Sequence, residues 1–475
     1  MEKGLNMEFY YEVLKAKITP EVLGDLKEKK IILESASQQQ VKGRYSIVAF
    51  DNYGTLTLTD KELKIATRDT TTVISDDPYN YLKDYINRFN HTITDDKLKQ
   101  LPFISGFIGG CSFDLVRHEF PVLKKKVVNE NNKNYDVRFY MIEDVYVFDH
   151  YKENLYVIAT NQFSGDNNKQ LKARVKKNIK ALSQIKVYEE NYILPPKRSE
   201  IVPNISNDKF IEIVKYLKQK ITEGDMFQVV PSRIYSYQHY FGQDKYRLSY
   251  QLYQNLKRQN PSPYMYYINM DDEMIIGSSP ESFVAVHNGE VITNPIAGTI
   301  RRGATPEEDD RNAQQLLADE KERSEHSMLV DLGRNDIHRV SVTGTSQLTK
   351  LMEIEKYEHV IHLVSEVKGK IKKELSPMTI IANLLPTGTV SGAPKLRAIE
   401  RIYEVHPYKR GIYSGGIGYI NCNQNLDFAL AIRTMLVDDT TIQVEAGFGV
   451  VYDSIPEKEL EETRLKAKSL LEVTP

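Results

Sequence analysis

Near the carboxyl end of the chain two glycines, Gly447 and Gly449, flank Phe448, and a segment of helical period then sets Glu459, Glu462, Thr463 and Lys466 on one face. Two carboxylates one turn apart can hold a hard divalent cation through oxygen. A lysine one turn further on can meet an anion, and the glycines let backbone come close to a ligand. The chemistry this suggests is capture of a small acidic substrate beside a metal ion. The same spacing also suits a solvated helix laced with salt bridges, so the rest of the chain has to decide between the two.

Five other segments concentrate special residues. Gly277-Ser-Ser-Pro-Glu281-Ser-Phe283 puts a carboxylate behind a proline at a strand-like edge. Asn294-Pro-Ile-Ala-Gly-Thr-Ile-Arg-Arg-Gly303 is a glycine-containing loop with two arginines, a composition shared by anion sites and ordinary loops. From Asp319 to Asp336 a charged half turns apolar mid-helix, so Glu325 falls where solvent exposure ends, and a carboxylate entering a core needs a partner. His362 is set in an apolar strand or helix, where it suits either a satisfied core position or a proton-transfer role. Pro386 to Lys395 packs two glycines, two prolines, three hydroxyls and a lysine into ten residues, which fits a substrate-holding loop better than a plain turn.

The elements that position these residues can be read from period. Residues 1 to about 187 alternate short apolar runs with turn formers and predict strands with a few helices. Three prolines between Asn191 and Pro203 mark a linker. The organisation predicted is an N-terminal region over 1–190, a linker over 191–206 and a chemistry-bearing region over 207–475. In the last, Asn207-Asp208 cap a helix running to Gly224, a second long helix spans Glu307 to Leu332, and strands fall at Met226 to Val230, Tyr264 to Asn269, Met274 to Gly277, Phe283 to His287, Gly415 to Asn421, Leu426 to Val437 and Thr441 to Ala446. Helices intermingled with mostly antiparallel strands predict the α+β class.

Composition narrows the function. A net charge of -2 with scattered Lys and Arg argues against nucleic acid as a partner. Only two cysteines occur, Cys111 and Cys422, without metal-ligand spacing, so neither a disulfide framework nor a zinc site is expected. With no long apolar run and no signal-like amino terminus, the expectation is a cytoplasmic protein without a membrane span. The chain holds 30 tyrosines and no tryptophan.

Taken together, the segments SSPES, PIAGTIRRG, DEKERSEHSMLVDLGRND, HVIHLVSEVKG, TGTVSGAPK, GIYSGGIGY, DFALAIRT, EAGFGVVYDS and ELEETRLKAK resemble the chorismate-utilising enzymes, and among them the anthranilate synthase component I group, over essentially the whole chain. The resemblance implies an αβ sandwich of two orthogonally packed, mostly antiparallel sheets between helical layers. It implies Mg2+ between Glu325 and Glu462 with Glu459 assisting, and the backbone of Gly447 and Gly449 with Lys466 around a ring carboxylate. It places Arg433 and Tyr413 on an enolpyruvyl carboxylate and Thr389 beside the ring, with Glu281 as general acid and His362 in the later elimination. A planar guanidinium suits the carboxylate role, and a hydroxide leaving group needs a proton.

Two positions then separate the branches of the resemblance. Isochorismate and salicylate synthases carry lysine where this chain has Gln228, and an amide cannot deprotonate water. Many aminodeoxychorismate synthases carry a nucleophilic lysine where this chain has Ala297. Direct attack by ammonia on chorismate is the expectation, with an aminodeoxychorismate synthase large subunit as the alternative and a non-catalytic regulator as a third reading. Glu34 and Ser35, with Pro261, Ser262, Pro263, Tyr264 and Met265, resemble the two halves of a tryptophan feedback site, and the lack of tryptophan in the chain is in keeping with that end product. Neither cysteine lies in a nucleophile elbow, so a separate glutamine amidotransferase subunit is expected to supply ammonia, in a hetero-oligomer.

Overall fold

The apolar strand segments are buried on both faces, and their period of two sorts successive side chains into different cores. Phe107, Phe139 and Met141 enter one cluster, while their neighbours Ile108, Tyr140 and Ile142 enter a second. Likewise Ile31 and Tyr266 point into the second cluster, and Ile32 and Tyr267 into a third. The structure, a computed structural model, describes residues 7–35, 43–124, 135–185, 197–356 and 360–475. The first part of the expected linker and residues 357–359 ahead of His362 lie outside these.

Among the described residues the strands form two large sheets, of 11 and 12 strands, and a two-stranded ribbon of Gln228–Val229 with Gly392–Ala393. The second cluster draws on both large sheets and fills the space between them. Each of the other two is closed by helices. On one outer face lie Leu171 and Val175 of the helix Asn168–Leu182, Leu252 and Leu256 of Lys245–Gln259, and Leu470 and Leu471 of Pro456–Leu471. On the other lie Leu82 and Ile86 of Pro78–Asn87, Val330 and Ile337 of Glu320–Val340, and Met378 and Ile381 of Pro377–Leu384. The result is the layered α+β sandwich that the sequence predicts.

Strands from the two ends of the chain are interleaved. Tyr264–Asn269 pairs antiparallel with Lys30–Glu34 on one side and with Met274–Ser279 on the other. In the other sheet Gly106–Cys111 lies between Gly416–Asn421 and Val137–Ile142.

Four local expectations are corrected. The single strand expected from Leu426 to Val437 is two, Leu426–Leu430 in the 12-stranded sheet and Thr434–Val437 in the 11-stranded one, because the chain crosses between sheets here and Arg433, with a φ of 49°, leaves the extended region. The helix expected over Glu307 to Leu332 is broken into Pro306–Ala318 and Glu320–Val340, because Asp319 is extended and its carboxylate caps the Lys321 and Glu322 amides of the second helix. Gly333 therefore lies inside a helix, where its lack of a side chain admits Pro295, 3.3 Å from where a Cβ would be. The helix Asn207–Thr222 is capped by Ser206, whose hydroxyl accepts from the Lys209 amide, rather than by the two residues that follow it.

The chain also passes from one large sheet to the other between Met274–Ser279 and Ser282–His287. Glu281 stands at this crossover and Arg433 at the one described above. The Leu430 amide donates to the Glu281 carbonyl at 3.0 Å and the Ser278 amide to the Arg433 carbonyl at 3.1 Å, so the two crossovers are laced together.

Candidate active site

The paired crossovers form one wall of a cavity of about 810 Å3. The other walls are Gln228 from the ribbon, the stretch Ile296 to Thr299, the helix turn bearing Glu325, the turn at Thr389, and the Gly447–Gly449 segment with the terminal helix. Of the residues singled out by sequence, Glu281, Thr389, Tyr413, Arg433, Gly447, Gly449, Lys466, Glu325, Glu459 and Glu462 all line it, as do Gln228 and Ala297. Segments spread over more than 200 residues thus converge.

Glu281 is buried, and the Thr389 hydroxyl donates to its Oε1 at 2.9 Å. Burial pushes the carboxyl up to about 7, opposed only in part by the Thr389 bond and the Arg433 charge. A glutamic acid with that affinity is a proton donor near neutral pH. Tyr413 approaches Gly447 so closely that a Cβ there would lie 2.5 Å from the phenol oxygen, which is why this position carries glycine. Lys466 donates to the Gly447 carbonyl at 3.1 Å and pairs with Glu462 at 2.6 Å. Thr463, predicted to share that face, is instead fully buried and bonded to the Tyr235 hydroxyl at 2.8 Å, so the wet face of the helix is narrower than its period suggests.

The acidic wall tests the fit of a metal. Burial raises the Glu325 carboxyl, and the charges of Glu322 and Glu462 raise it further. Burial raises Glu459 as well, with Glu462 adding to it. Glu325, Glu459 and Glu462 share this wall as an all-oxygen donor set that suits a hard divalent ion retaining several waters, with Lys466 as the cation that pairs with Glu462. They are not drawn as tightly as another group among the described residues, Asp60, His118 and Asp136, whose ligand atoms lie within 4.8 Å of one another. There, however, Lys409 already stands 2.8 Å from Asp60 and 2.9 Å from Asp136, and Arg117 3.2 Å from Asp60. That group is an ion-pair network.

His362 is placed differently from the other expected residues. It lies on the strand Val360–Lys370 beside the cavity wall, paired across the sheet with Thr299, with Nδ1 2.9 Å from Thr299 Oγ1 and 3.3 Å from the Gly298 carbonyl. Burial lowers its proton affinity, so the imidazole is neutral at neutral pH.

The two segments expected to bind tryptophan meet as neighbouring strands, with Glu34 directly opposite Met265. Ser35 follows Glu34, and Pro261, Ser262 and Pro263 lead into Tyr264 at the start of the partner strand. Glu34 is buried, accepts from the Tyr253 hydroxyl and pairs with Lys257 at 2.8 Å, and Lys257 also reaches Glu21 at 2.7 Å.

Among the cavity residues missed by sequence reasoning are Glu322, Thr299 and Glu445. Glu322 lies one helical turn before Glu325, a spacing that could have exposed it. Thr299 sits inside a recognised loop. Glu445 adjoins the glycine pair, and its burial pushes it up to about 7 beside Ser232, which donates to it, and Arg410, 3.9 Å away. Only the folded cavity reveals it.

A family model described as chorismate binding enzyme matches residues 28–472, and the chain belongs to that family. Its relatives include the anthranilate synthase component 1 of Lactococcus lactis subsp. lactis (strain IL1403), 40% identical over 450 residues that cover 94% of each chain. That of Aquifex aeolicus (strain VF5) is 37% identical over 476 residues, 97% of this chain and 93% of the relative. The crystal structure of anthranilate synthase component I from Streptococcus pneumoniae TIGR4 superposes with a TM-score of 0.79 at 36% identity, covering 95% of this chain and 97% of that one. The fold alone is shared with the menaquinone-specific isochorismate synthase of Escherichia coli, at a TM-score of 0.73 and 16% identity over 98% of this chain and 94% of that one.

Proposed function

We propose that the chain is the large subunit of an anthranilate synthase, a Mg2+-dependent lyase that takes chorismate and ammonia to anthranilate and pyruvate through the 2-amino intermediate aminodeoxyisochorismate, the first step of tryptophan synthesis. The observation that carries this reading is that Gln228 and Ala297 line the cavity, since an amide side chain cannot activate water as a base and a methyl side chain cannot act as an amine nucleophile. External ammonia is then the nucleophile, in keeping with relatives named anthranilate synthase component 1.

In this reading Arg433 and Tyr413 hold the enolpyruvyl carboxylate, and the amides of Gly447 and Gly449 with Lys466 receive the ring carboxylate. Glu325, Glu459 and Glu462 would hold Mg2+, which when bound would neutralise the ring carboxylate. Glu281, neutral below about 7, donates its proton to the departing C4 hydroxyl while Thr389 keeps its carboxyl oriented toward the cavity. After ammonia has added at C2, His362 is the base for the C2 proton as pyruvate leaves, and aromatisation drives the step.

Ammonia comes from a glutamine amidotransferase partner. Both cysteines of this chain are buried, and burial holds both thiols up, Cys422 at about 12, far from the thiolate an amidotransferase needs. Tryptophan is the feedback ligand, bound beside Ser35 and Glu34, the latter paired with Met265. The strand Met274–Ser279 joins that region to Glu281, since Tyr264 pairs with Ser279 two residues before it. The described helices include none long and apolar enough to cross a membrane, which accords with a cytoplasmic enzyme.

Incubating the purified chain with chorismate, MgCl2 and ammonium chloride tests the reading. Anthranilate and pyruvate in equal amounts, abolished by EDTA, are expected. A 4-amino product would instead identify an aminodeoxychorismate synthase, and binding of chorismate without its consumption a regulator.

A further inference from the structure

We propose that the Thr299 hydroxyl is a proton relay between the substrate and His362. This rests on the reading of the site given above and assigns a further residue to its second half. Thr299 is exposed on the cavity wall, whereas His362, its cross-strand partner on the neighbouring strand, is half-buried and is not among the residues that line the cavity. The 2.9 Å between Thr299 Oγ1 and His362 Nδ1 is a hydrogen bond that joins the two.

The backbone around the pair is arranged for both protonation states. With Nδ1 unprotonated, the hydroxyl donates to it and its oxygen lone pairs are left toward the cavity. When a proton arrives on Nδ1, the Gly298 carbonyl at 3.3 Å is already placed to accept from it and so stabilises the imidazolium. A β-bulge between Ala297 and Thr299 makes the placement possible, because Gly298 takes a φ of 83° and turns its carbonyl and the next side chain toward the same histidine.

The step balances as follows. The proton on C2 of the amino intermediate passes to Thr299 Oγ1 while the hydroxyl proton passes to His362 Nδ1. The C–H electron pair forms the C2–C3 double bond, the C3–O bond breaks, and its pair departs with the enolpyruvyl oxygen. The enolate takes a proton from water to become pyruvate, the imidazolium returns its proton to solvent, and the ring is anthranilate. The relay requires no oxidant, reductant or further co-reactant.

The test uses the full chain with MgCl2 and ammonium chloride, following chorismate loss and anthranilate gain separately for the parent, Thr299→Val and Thr299→Ser. Absence of anthranilate from the parent would remove the functional reading itself, and the relay with it. With an active parent, Thr299→Val is expected to consume chorismate at close to the parental rate and to release the 2-amino intermediate, with anthranilate formation down about 100-fold, while Thr299→Ser stays within about threefold. An unchanged anthranilate rate in Thr299→Val overturns the relay, and so does a parallel fall of both rates, which is what a merely structural threonine would give. A proton inventory of the parent in mixed H2O and D2O covers the case in which the valine variant does not fold. For conversion of the 2-amino intermediate to anthranilate a normal solvent isotope effect is expected, linear in deuterium fraction because only the Thr299 hydroxyl proton exchanges with solvent while the C2 hydrogen is bound to carbon; a rate independent of deuterium content overturns the proposal.

Discussion

Glu281 remains protonated at a pH where an exposed glutamate is ionised, and both its chemistry and its cost follow from burial. If it donates the proton to the leaving hydroxyl, kcat/KM for chorismate falls tenfold per unit as pH rises beyond about 7, and the pH profile of Glu281→Asp, still an acid, moves while that of Glu281→Gln disappears. Stability changes over a definite window. Between 4.5, its ordinary value, and about 7 the folded chain binds a proton that the unfolded chain has lost, so stability declines with rising pH in that interval and levels off above it. Glu281→Gln escapes the decline, and its melting temperature relative to the parent is expected to climb from pH 4.5 to 7 and then hold. A constant difference across that range would show that the carboxyl is not held neutral. At the other site, Ser35→Phe is expected to weaken tryptophan inhibition by at least about tenfold, roughly 1.4 kcal/mol, with little change in uninhibited rate. Inhibition curves that superpose would place the tryptophan site elsewhere.

Helix and loop are joined by a buried charge pair. Asp336, near the end of the helix that carries Glu325, receives Lys395 at 2.5 Å, and the same ammonium donates to the Leu384 carbonyl at 3.0 Å. Lys395 follows the turn that carries Thr389, so this contact fixes the spacing between the acidic wall and the general acid's partner. Burial raises Asp336 and lowers Lys395, which means that desolvation is only partly offset by their attraction. Lys395→Met leaves an uncompensated carboxylate and is expected to cost about 3–5 kcal/mol in urea unfolding, most of it recovered in the double variant Asp336→Asn, Lys395→Met. Additive losses in the two single variants would mean that the groups do not act as a pair. The motif strings around both residues were legible as special, but their pairing was not, because 59 positions separate them and no period connects them.

The whole molecule is held by strands exchanged between its ends. Residues 207–475 alone would leave Tyr264–Asn269 and Gly416–Asn421 with one edge each unpaired, and would open the cluster between the sheets. That fragment is expected to be insoluble or to unfold without a cooperative transition, as calorimetry would show. A sharp transition near that of the full chain would mean that the second part is self-sufficient. Co-expression with residues 1–190 is expected to restore solubility, since the missing edges are supplied by paired strands rather than by covalent continuity.

The amino-acid sequence by itself determined the class of fold, the family and nearly all the chemical groups of the site, because strand and helix periods are local and the motifs are contiguous. Glu281, Arg433, Glu325 and the terminal glutamates could be picked out for that reason, and so could the two unreactive positions, Gln228 and Ala297, that narrow the nucleophile. Tertiary structure decided what depends on crossing between sheets. Arg433 faces the cavity because a positive φ ends its strand there, Thr463 is buried by its contact with Tyr235, and Glu445 and Glu322 join the wall through neighbours distant in sequence. It also decided that His362 meets the cavity through Thr299, a relation set by the register of two strands 63 residues apart and by one bulge, neither of which has a signature in composition or spacing.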